Sequence, residues 1–190
     1  MDYNKLAFSI KTAIDRHPDE KGAYSDLFSL CRDWEMADPK AAHTMNKELL
    51  EMCSKQVQLT KSADFYDQWR KCLLFEAPHN FDSFLTYIEL NREASKRFYP
   101  PRRKILKQVV DELQMLADDE LDLLAVSLPP GTGKTTLAIF YLTWLAGKYP
   151  NEPMLTGSHS NSFVRGVYDE CLRIFDRNGD YLWHDVFPGI

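Results

Sequence analysis

The chain has 190 residues, of which 44% are hydrophobic and 13% aromatic, enough to bury a core in one or two domains. Its formal net charge of −5 argues against a protein that coats nucleic acid with its whole surface, although a local basic groove is compatible with it. The four cysteines are scattered and form no CxxC pair, so the sequence suggests neither a zinc site nor a disulfide framework, and reduced thiols are expected.

Residues 1–95 are predicted to form a helical N-terminal region, because apolar residues recur at helical spacing and no strand-like alternation is sustained. Asp38 is a favourable N-cap and Pro39 suits the first turn after it, which predicts a helix start at this point. The stripes comprise Leu6, Ile10 and Ile14, then Leu27, Leu30 and Trp34, then Phe65, Trp69 and Leu73, and finally Phe84 and Ile88, with the polar Asn91 at the next helical position.

Residues 96–190 are predicted to begin a second domain. Its first nine residues, "KRFYPPRRK", contain two prolines, which are expected to break the preceding helix at Tyr99. The next helix, "RKILKQVVDELQML", is expected to have an apolar side comprising Ile105, Val109, Leu113 and Leu116.

The segments that follow alternate between strand and helix. Residues 121–128 form a near-continuous apolar run, typical of a parallel strand covered on both faces. A helix is predicted at 134–148, a second short strand at 153–157 and a further helix at 161–175. This order predicts an α/β fold with the parallel sheet of a P-loop NTPase, and the sheet is expected to be incomplete because two strands are too few.

The sequence "PPGTGKTT" after the first predicted strand matches the closing half of the phosphate-binding pattern G-x-x-x-x-G-K-[ST], with Leu128 in place of the first glycine. Gly131 and Gly133 allow the backbone to turn N–H groups toward phosphate oxygens. Lys134 is predicted to be the catalytic lysine that reaches the β- and γ-phosphates, and the Thr135 hydroxyl to ligate Mg²⁺. The residues predicted to bind ATP in this loop are Pro130, Gly131, Thr132, Gly133, Lys134, Thr135 and Thr136.

Nucleotide hydrolysis also needs an acidic residue at the end of an apolar strand, usually Asp followed by Glu. One sequence after the loop, "VYDE", contains this acidic pair after an apolar residue. Apolar residues recur there at helical spacing, at Phe163, Val167, Cys171 and Ile174. This spacing places Asp169 and Glu170 on the exposed side of a helix. The sequence therefore predicts a phosphate loop without its acidic partner.

The basic and aromatic segment "RFYPPRR" precedes the loop by one helix. It has two interpretations from sequence. In the first, Tyr99 stacks on adenine and Arg102 or Arg103 contacts phosphate or DNA. In the second, the segment is a solvated connector ended by proline.

From about Phe81 to the end, the chain resembles the large subunit of the tailed-bacteriophage terminase, the motor that packages DNA. The resemblance rests on "FLTYIELNREASKRFYPPRRKILKQVVDELQ", the loop "SLPPGTGKTT", and the later segments "MLTGSHSNS", "FVRGVYDECLRIF" and "YLWHDVFPG". In that family the loop often follows Pro-Pro and lacks the first glycine, which is similar to Leu128 here.

The resemblance implies an N-terminal ATPase that uses ATP and Mg²⁺ to drive double-stranded DNA into a procapsid, followed by a metal-dependent nuclease. It also implies a small terminase subunit and a portal protein as partners, a ring of identical subunits in the complete motor, and the host cytoplasm as the location. The chain is expected to be the first part of such a protein. Nucleotide binding is therefore expected of this chain, hydrolysis only of a complete protein, and nuclease activity of no residue here.

Two other functions stay open at this level. Another P-loop ATPase, such as a helicase or an AAA-type protein, also fits "PPGTGKT", although the missing glycine and the "RFYPPRR" segment argue against it. A non-catalytic interaction module is the other alternative, in which the helical first half docks on a partner and the loop is a nucleotide-binding relic.

Overall fold

The computed structural model describes residues 2–190, and all regular secondary structure in that range is helical. None of the described helices is long and apolar enough to cross a lipid bilayer. The chain divides into two compact units, Met1–Glu76 and Ala77–Ile190. The helices are α1 (Tyr3–Arg16), α2 (Lys21–Glu35), α3 (Pro39–Thr60), α4 (Ala63–Glu76), α5 (Phe81–Tyr87), α6 (Tyr99–Ala117), α7 (Lys134–Lys148), α8 (Asn161–Phe175) and α9 (Trp183–Val186), with a short 3₁₀ helix at Ala94–Lys96 between α5 and α6.

In the first unit each helix packs against the next, α1 on α2, α2 on α3 and α3 on α4. The helix start predicted after Asp38 is confirmed: its side chain accepts a hydrogen bond from the Ala41 N–H at 3.0 Å, and Pro39 occupies the first turn of α3. The predicted stripes supply much of the core, which includes Ile14, Leu27, Leu30, Trp34, Leu49, Phe65 and Cys72.

Aromatic side chains hold the second unit together. The fully buried Trp144 of α7 donates its indole N–H to the Ala77 carbonyl at 3.0 Å, and its ring centroid lies 5.2 Å from that of Phe81 in α5. Trp183 of α9 donates its indole N–H to the Thr143 carbonyl at 2.9 Å. Helices α5, α7 and α9 therefore meet in one core around α7.

The predicted α/β fold is wrong, because neither 121–128 nor 153–157 forms a strand and no sheet exists in residues 2–190. Leu123 and Leu155 are 84% and 98% exposed, so these apolar segments are not enclosed between layers of helices. A strand is stabilised by pairing its N–H and C=O groups with a neighbour, and these two segments form no such ladder. An apolar run alone does not provide that partner.

The division between the units falls after Glu76, whereas the sequence analysis placed it at 95/96. Residues 77–95 pack with the rest of the second unit. For example, the Leu182 N–H donates to the Ile88 carbonyl at 3.0 Å. Helix α5 also ends at Tyr87, earlier than its apolar stripe suggested, and a turn leads from it to the 3₁₀ helix.

The two prolines of "KRFYPPRRK" lie in the first turn of α6, which begins at Tyr99. A proline in a first turn sacrifices no helical hydrogen bond, because the N–H groups there have no partner within the helix. The prolines therefore start a helix at the point where the sequence analysis expected a break.

Candidate functional site

The loop before α7 contains two glycines in a backbone conformation that other residues rarely adopt. Gly131 and Gly133 have φ angles of +81° and +94°, in the left-handed region that favours glycine. Lys134 is the first residue of α7, and no side chain caps this end of the helix. The first N–H groups of a helix have no partner within it, so this end presents backbone donors and the positive end of the helix dipole.

The polar side chains of the loop differ in exposure. Lys134 and Thr135 are exposed, and Thr136 is half-buried. Thr132 is also half-buried, and its hydroxyl donates to the Pro129 carbonyl at 2.8 Å, which holds the turn closed. The ammonium group and the Thr135 hydroxyl are therefore the side-chain groups that the first turn of α7 offers to a ligand.

Phe98 packs directly against this loop. A Cβ atom added to Gly133 would lie 2.8 Å from Phe98 Cζ and closer still to Cε2, so the ring occupies the space that any side chain at position 133 would need. On the α7 side, the Phe98 ring stacks on Phe140 with centroids 5.9 Å apart. The segment before α6 and the loop that contains Gly131 and Gly133 are therefore in contact in the folded second unit.

Arg102 is the basic residue that accompanies Phe98. Its guanidinium carbon lies 5.2 Å from the centroid of the Phe98 ring, and its Nη1 donates to the Phe98 carbonyl at 3.0 Å. The residue is exposed. Arg102 therefore contacts the same aromatic ring that packs against Gly133.

Tyr99 and Arg103, also predicted to bind ligand, are directed to Asp82 of α5. Tyr99 is fully buried and its hydroxyl donates to the Asp82 carboxylate. Arg103 forms a two-point pair with the same carboxylate, Nε to Oδ1 at 2.9 Å and Nη2 to Oδ2 at 2.7 Å. In this structure the Tyr99 ring is not available for stacking, and the Arg103 guanidinium already has a partner.

The pKa values follow from this cluster. Burial tends to raise the pKa of Asp82, but hydrogen bonds from Arg103 and Tyr99 outweigh it and hold the pKa below its usual value. Burial and the bond to Asp82 raise the pKa of Tyr99. The bond to Asp82 likewise raises the pKa of Arg103. These directions describe an ion pair that fastens α6 to α5.

Phe98 is a residue of this region that the sequence does not single out. Phe98 and Tyr99 are adjacent aromatic residues in one basic segment, and sequence alone ranks neither nearer to the loop. The position of the first residue of α6 decides which of the two aromatic side chains reaches the loop. Phe98 precedes the helix and contacts Gly133, whereas Tyr99 is the first residue of the helix and is buried against α5. The contact between Phe98 and Gly133 joins residues far apart in the chain, so no pattern in the local sequence indicates it.

Asp169 and Glu170, the acidic residues of "VYDE", lie in a helix, as the spacing of the apolar residues predicts. "VYDE" lies within α8, with Val167 and Ile174 buried and Asp169 exposed. Glu170 accepts a hydrogen bond from Arg173 at 2.6 Å. The prediction that this sequence belongs to a helix, and does not end a strand, is confirmed.

An apolar cavity of about 370 Å³ adjoins the first turn of α7. Lys134 and Thr135 line one part of it, and apolar side chains of α6, α7 and α8 line the rest. Val126 and Thr156 also reach it, so both segments predicted as strands border this cavity without pairing.

Comparison of the chain with protein-family models, with curated proteins and with solved structures found no match.

Proposed function

We propose that the loop from Pro129 to Thr136 binds the polyphosphate group of ATP. The observation that carries this proposal is the pair of glycines at positive φ that leads into the uncapped start of α7, with the exposed Lys134 at its first position. Backbone donors, a helix dipole and an ammonium group in one place are the elements that phosphate binding requires.

Each residue of the loop has a defined task in this proposal. The N–H groups around Gly133 donate to phosphate oxygens, because the positive φ turns the backbone toward the ligand. Lys134 neutralises the β- and γ-phosphates. Thr135 would hold Mg²⁺ through its hydroxyl, which suits the preference of this ion for oxygen ligands, and bound Mg²⁺ would neutralise phosphate charge. Arg102, next to the loop through Phe98, supplies a further cation.

The broader role that we propose is the ATP-binding part of a DNA-packaging motor of the terminase large-subunit type. The resemblance from Phe81 onward supports it, and so does the contact between Phe98 and Gly133, because the basic segment and the loop belong to one site. In this role the motor acts on double-stranded DNA in the host cytoplasm, together with a small terminase subunit and a portal protein. Hydrolysis belongs to a complete motor assembled as a ring.

The test is nucleotide binding by Lys134→Ala. In this variant we expect that MgATP no longer raises the melting temperature, because the cation that neutralises the phosphates is absent. The helical circular dichroism spectrum should stay unchanged. A ligand present at 100 times its dissociation constant stabilises a folded protein by about 2.7 kcal/mol, so the shift in the unaltered chain is measurable.

The matched control is Lys55→Ala, which removes an exposed lysine from the first unit. This variant should retain the full shift with MgATP. An equal shift in Lys134→Ala and the unaltered chain would contradict the assignment of the loop.

A further inference from the structure

Glu89 is a fully buried carboxylate at the start of α6. Although 0% exposed, it accepts a hydrogen bond from the Phe98 N–H to both of its oxygens, each at 2.9 Å. It accepts a third from the Tyr99 N–H, also at 2.9 Å. One side chain from the turn after α5 thus holds Phe98, the residue before α6, and Tyr99, the first residue of α6.

Arg92 and Tyr181 hold this carboxylate in place. Arg92 Nη1 donates to Glu89 Oε1 at 2.9 Å and to the Tyr181 hydroxyl at 2.8 Å. The Arg92 guanidinium also lies 4.6 Å from the centroid of the Tyr181 ring, and that ring packs edge-on against Phe140 with centroids 5.8 Å apart. Phe140 is the residue on which Phe98 stacks, so the network surrounds Phe98.

A buried charge is an expensive way to satisfy two N–H groups at a helix start. Removing a carboxylate from water costs several kcal/mol unless a partner and hydrogen bonds offset it. A surface Ser, Thr or Asn would cap the same N–H groups without that cost. The arrangement therefore achieves something that an ordinary cap does not, namely a backbone at Phe98 that is held from inside the unit.

We propose that Glu89 is a positioning residue of the nucleotide site, an inference that rests on the proposed function. By holding the backbone of Phe98, Glu89 keeps the ring against Gly133 and on Phe140. The same ring carries Arg102, whose Nη1 bonds the Phe98 carbonyl. Glu89 thereby sets the position of the loop backbone and of this cation without touching the ligand itself.

The experiment measures the dissociation constant of MgATP by calorimetry for the full chain and three variants: Glu89→Gln, Phe98→Leu and the two combined. In Glu89→Gln only one acceptor oxygen remains, so the amide NH₂ must face either the Phe98 N–H or Arg92 Nη1, and the hold on the backbone at Phe98 is weakened. We expect Glu89→Gln to bind MgATP about tenfold more weakly, the effect of losing a hydrogen bond to a charged group. Phe98→Leu should bind it about tenfold more weakly as well, because the aromatic ring that packs against Gly133 is lost. Phe98→Leu keeps the bonds of Glu89, because these are to backbone N–H groups.

The double variant gives the readout that a purely structural role would not produce. If Glu89 acts through Phe98, the double variant should bind no more weakly than the weaker single variant, because coupled residues are not additive. Losses that multiply in the double variant would overturn the inference. Unchanged affinity in Glu89→Gln would also overturn it.

Tyr149→Phe is the matched control, because it removes the bond from the Tyr149 hydroxyl to the Ala117 carbonyl at the other end of α6. Its affinity for MgATP should stay within about twofold of the unaltered chain, as expected for a distant and independent site. A tenfold loss in this control would overturn the inference. If Glu89→Gln does not fold, Phe98→Leu decides: weakened binding supports the inference and unchanged binding overturns it. If the unaltered chain does not bind MgATP, the proposed function itself is wrong, and the inference about Glu89 fails with it.

Discussion

Gly131 and Gly133 have similar backbone angles and different surroundings. Both have positive φ, but nothing lies within 4 Å of the place where a Cβ of Gly131 would be, whereas the ring of Phe98 fills that place at Gly133. The first glycine is required by the backbone alone. The second is required by the backbone and also by the contact with Phe98. Substitution of the two glycines should therefore lower the free energy of unfolding by different amounts.

Gly133→Ala should lower the free energy of unfolding more than Gly131→Ala does. Both variants lose about 1 kcal/mol because an L-residue is strained at positive φ. Gly133→Ala should lose about 2 kcal/mol more, since the new methyl group forces the Phe98 ring to move. Urea unfolding of the two variants measures this difference. Equal losses would show that Phe98 does not pack on this glycine.

At the scale of elements, periodicity located the helices more reliably than the strands. The bounds predicted for α7 and α8, 134–148 and 161–175, agree with the structure. These helices are defined by local signals: the turn before α7 and the apolar spacing of α8. Residues 121–128 also have a strong local signal, but a strand needs a partner that the local signal does not specify.

Amide hydrogen exchange should show the difference between these segments. The N–H groups of 122–128 form no backbone hydrogen bond, so we expect them to exchange at least about 100-fold faster than those in the middle of α7. Exchange monitored by mass spectrometry after pepsin digestion measures this ratio. Slow exchange at 122–128 would contradict the unpaired conformation.

Helix α6 shows the limit of spacing arguments within a correctly predicted helix. The sequence predicts a buried face with Ile105, Val109, Leu113 and Leu116. Leu113 is buried as predicted, but Ile105 is 69% exposed, and Leu106 and Val110 are buried in place of Ile105 and Val109. Both sets are apolar and lie side by side on the helix. The choice between them is made by the side from which α5 and its neighbours cover α6.

At the scale of the whole molecule, the chain contains two compact units, each with its own core. The first core is formed by α1 to α4. In the second unit the aromatic side chains around Trp144 and Trp183 join α5, α7 and α9. All the residues proposed to bind nucleotide, and the network of Glu89, belong to the second unit.

Residues 77–190 should therefore fold and bind MgATP without the first unit. We expect a helical circular dichroism spectrum, a cooperative thermal transition and a dissociation constant for MgATP within about threefold of the full chain, because the site draws on one unit only. Calorimetry on the purified fragment provides the measurement. A folded fragment that has lost nucleotide affinity would show that the first unit contributes to the site.

The sequence by itself determined the features that depend on neighbouring residues: the cap of α3 at Asp38, the bounds of α7 and α8, the turn at Gly131 and Gly133, and the helical placement of "VYDE". Caps, glycine turns and apolar spacing act within one or two turns of chain, so they can be read from the order of residues. The proposed phosphate loop is of this local kind.

Only the tertiary structure decided which parts meet. It brought Phe98 to Gly133 and Arg102 to Phe98, turned Tyr99 and Arg103 toward Asp82, and left 121–128 unpaired. These outcomes depend on contacts between residues far apart in the chain, where adjacent side chains of one type point in different directions. The free energy of such contacts comes from packing and burial within the whole unit. The sequence of one segment therefore does not indicate them.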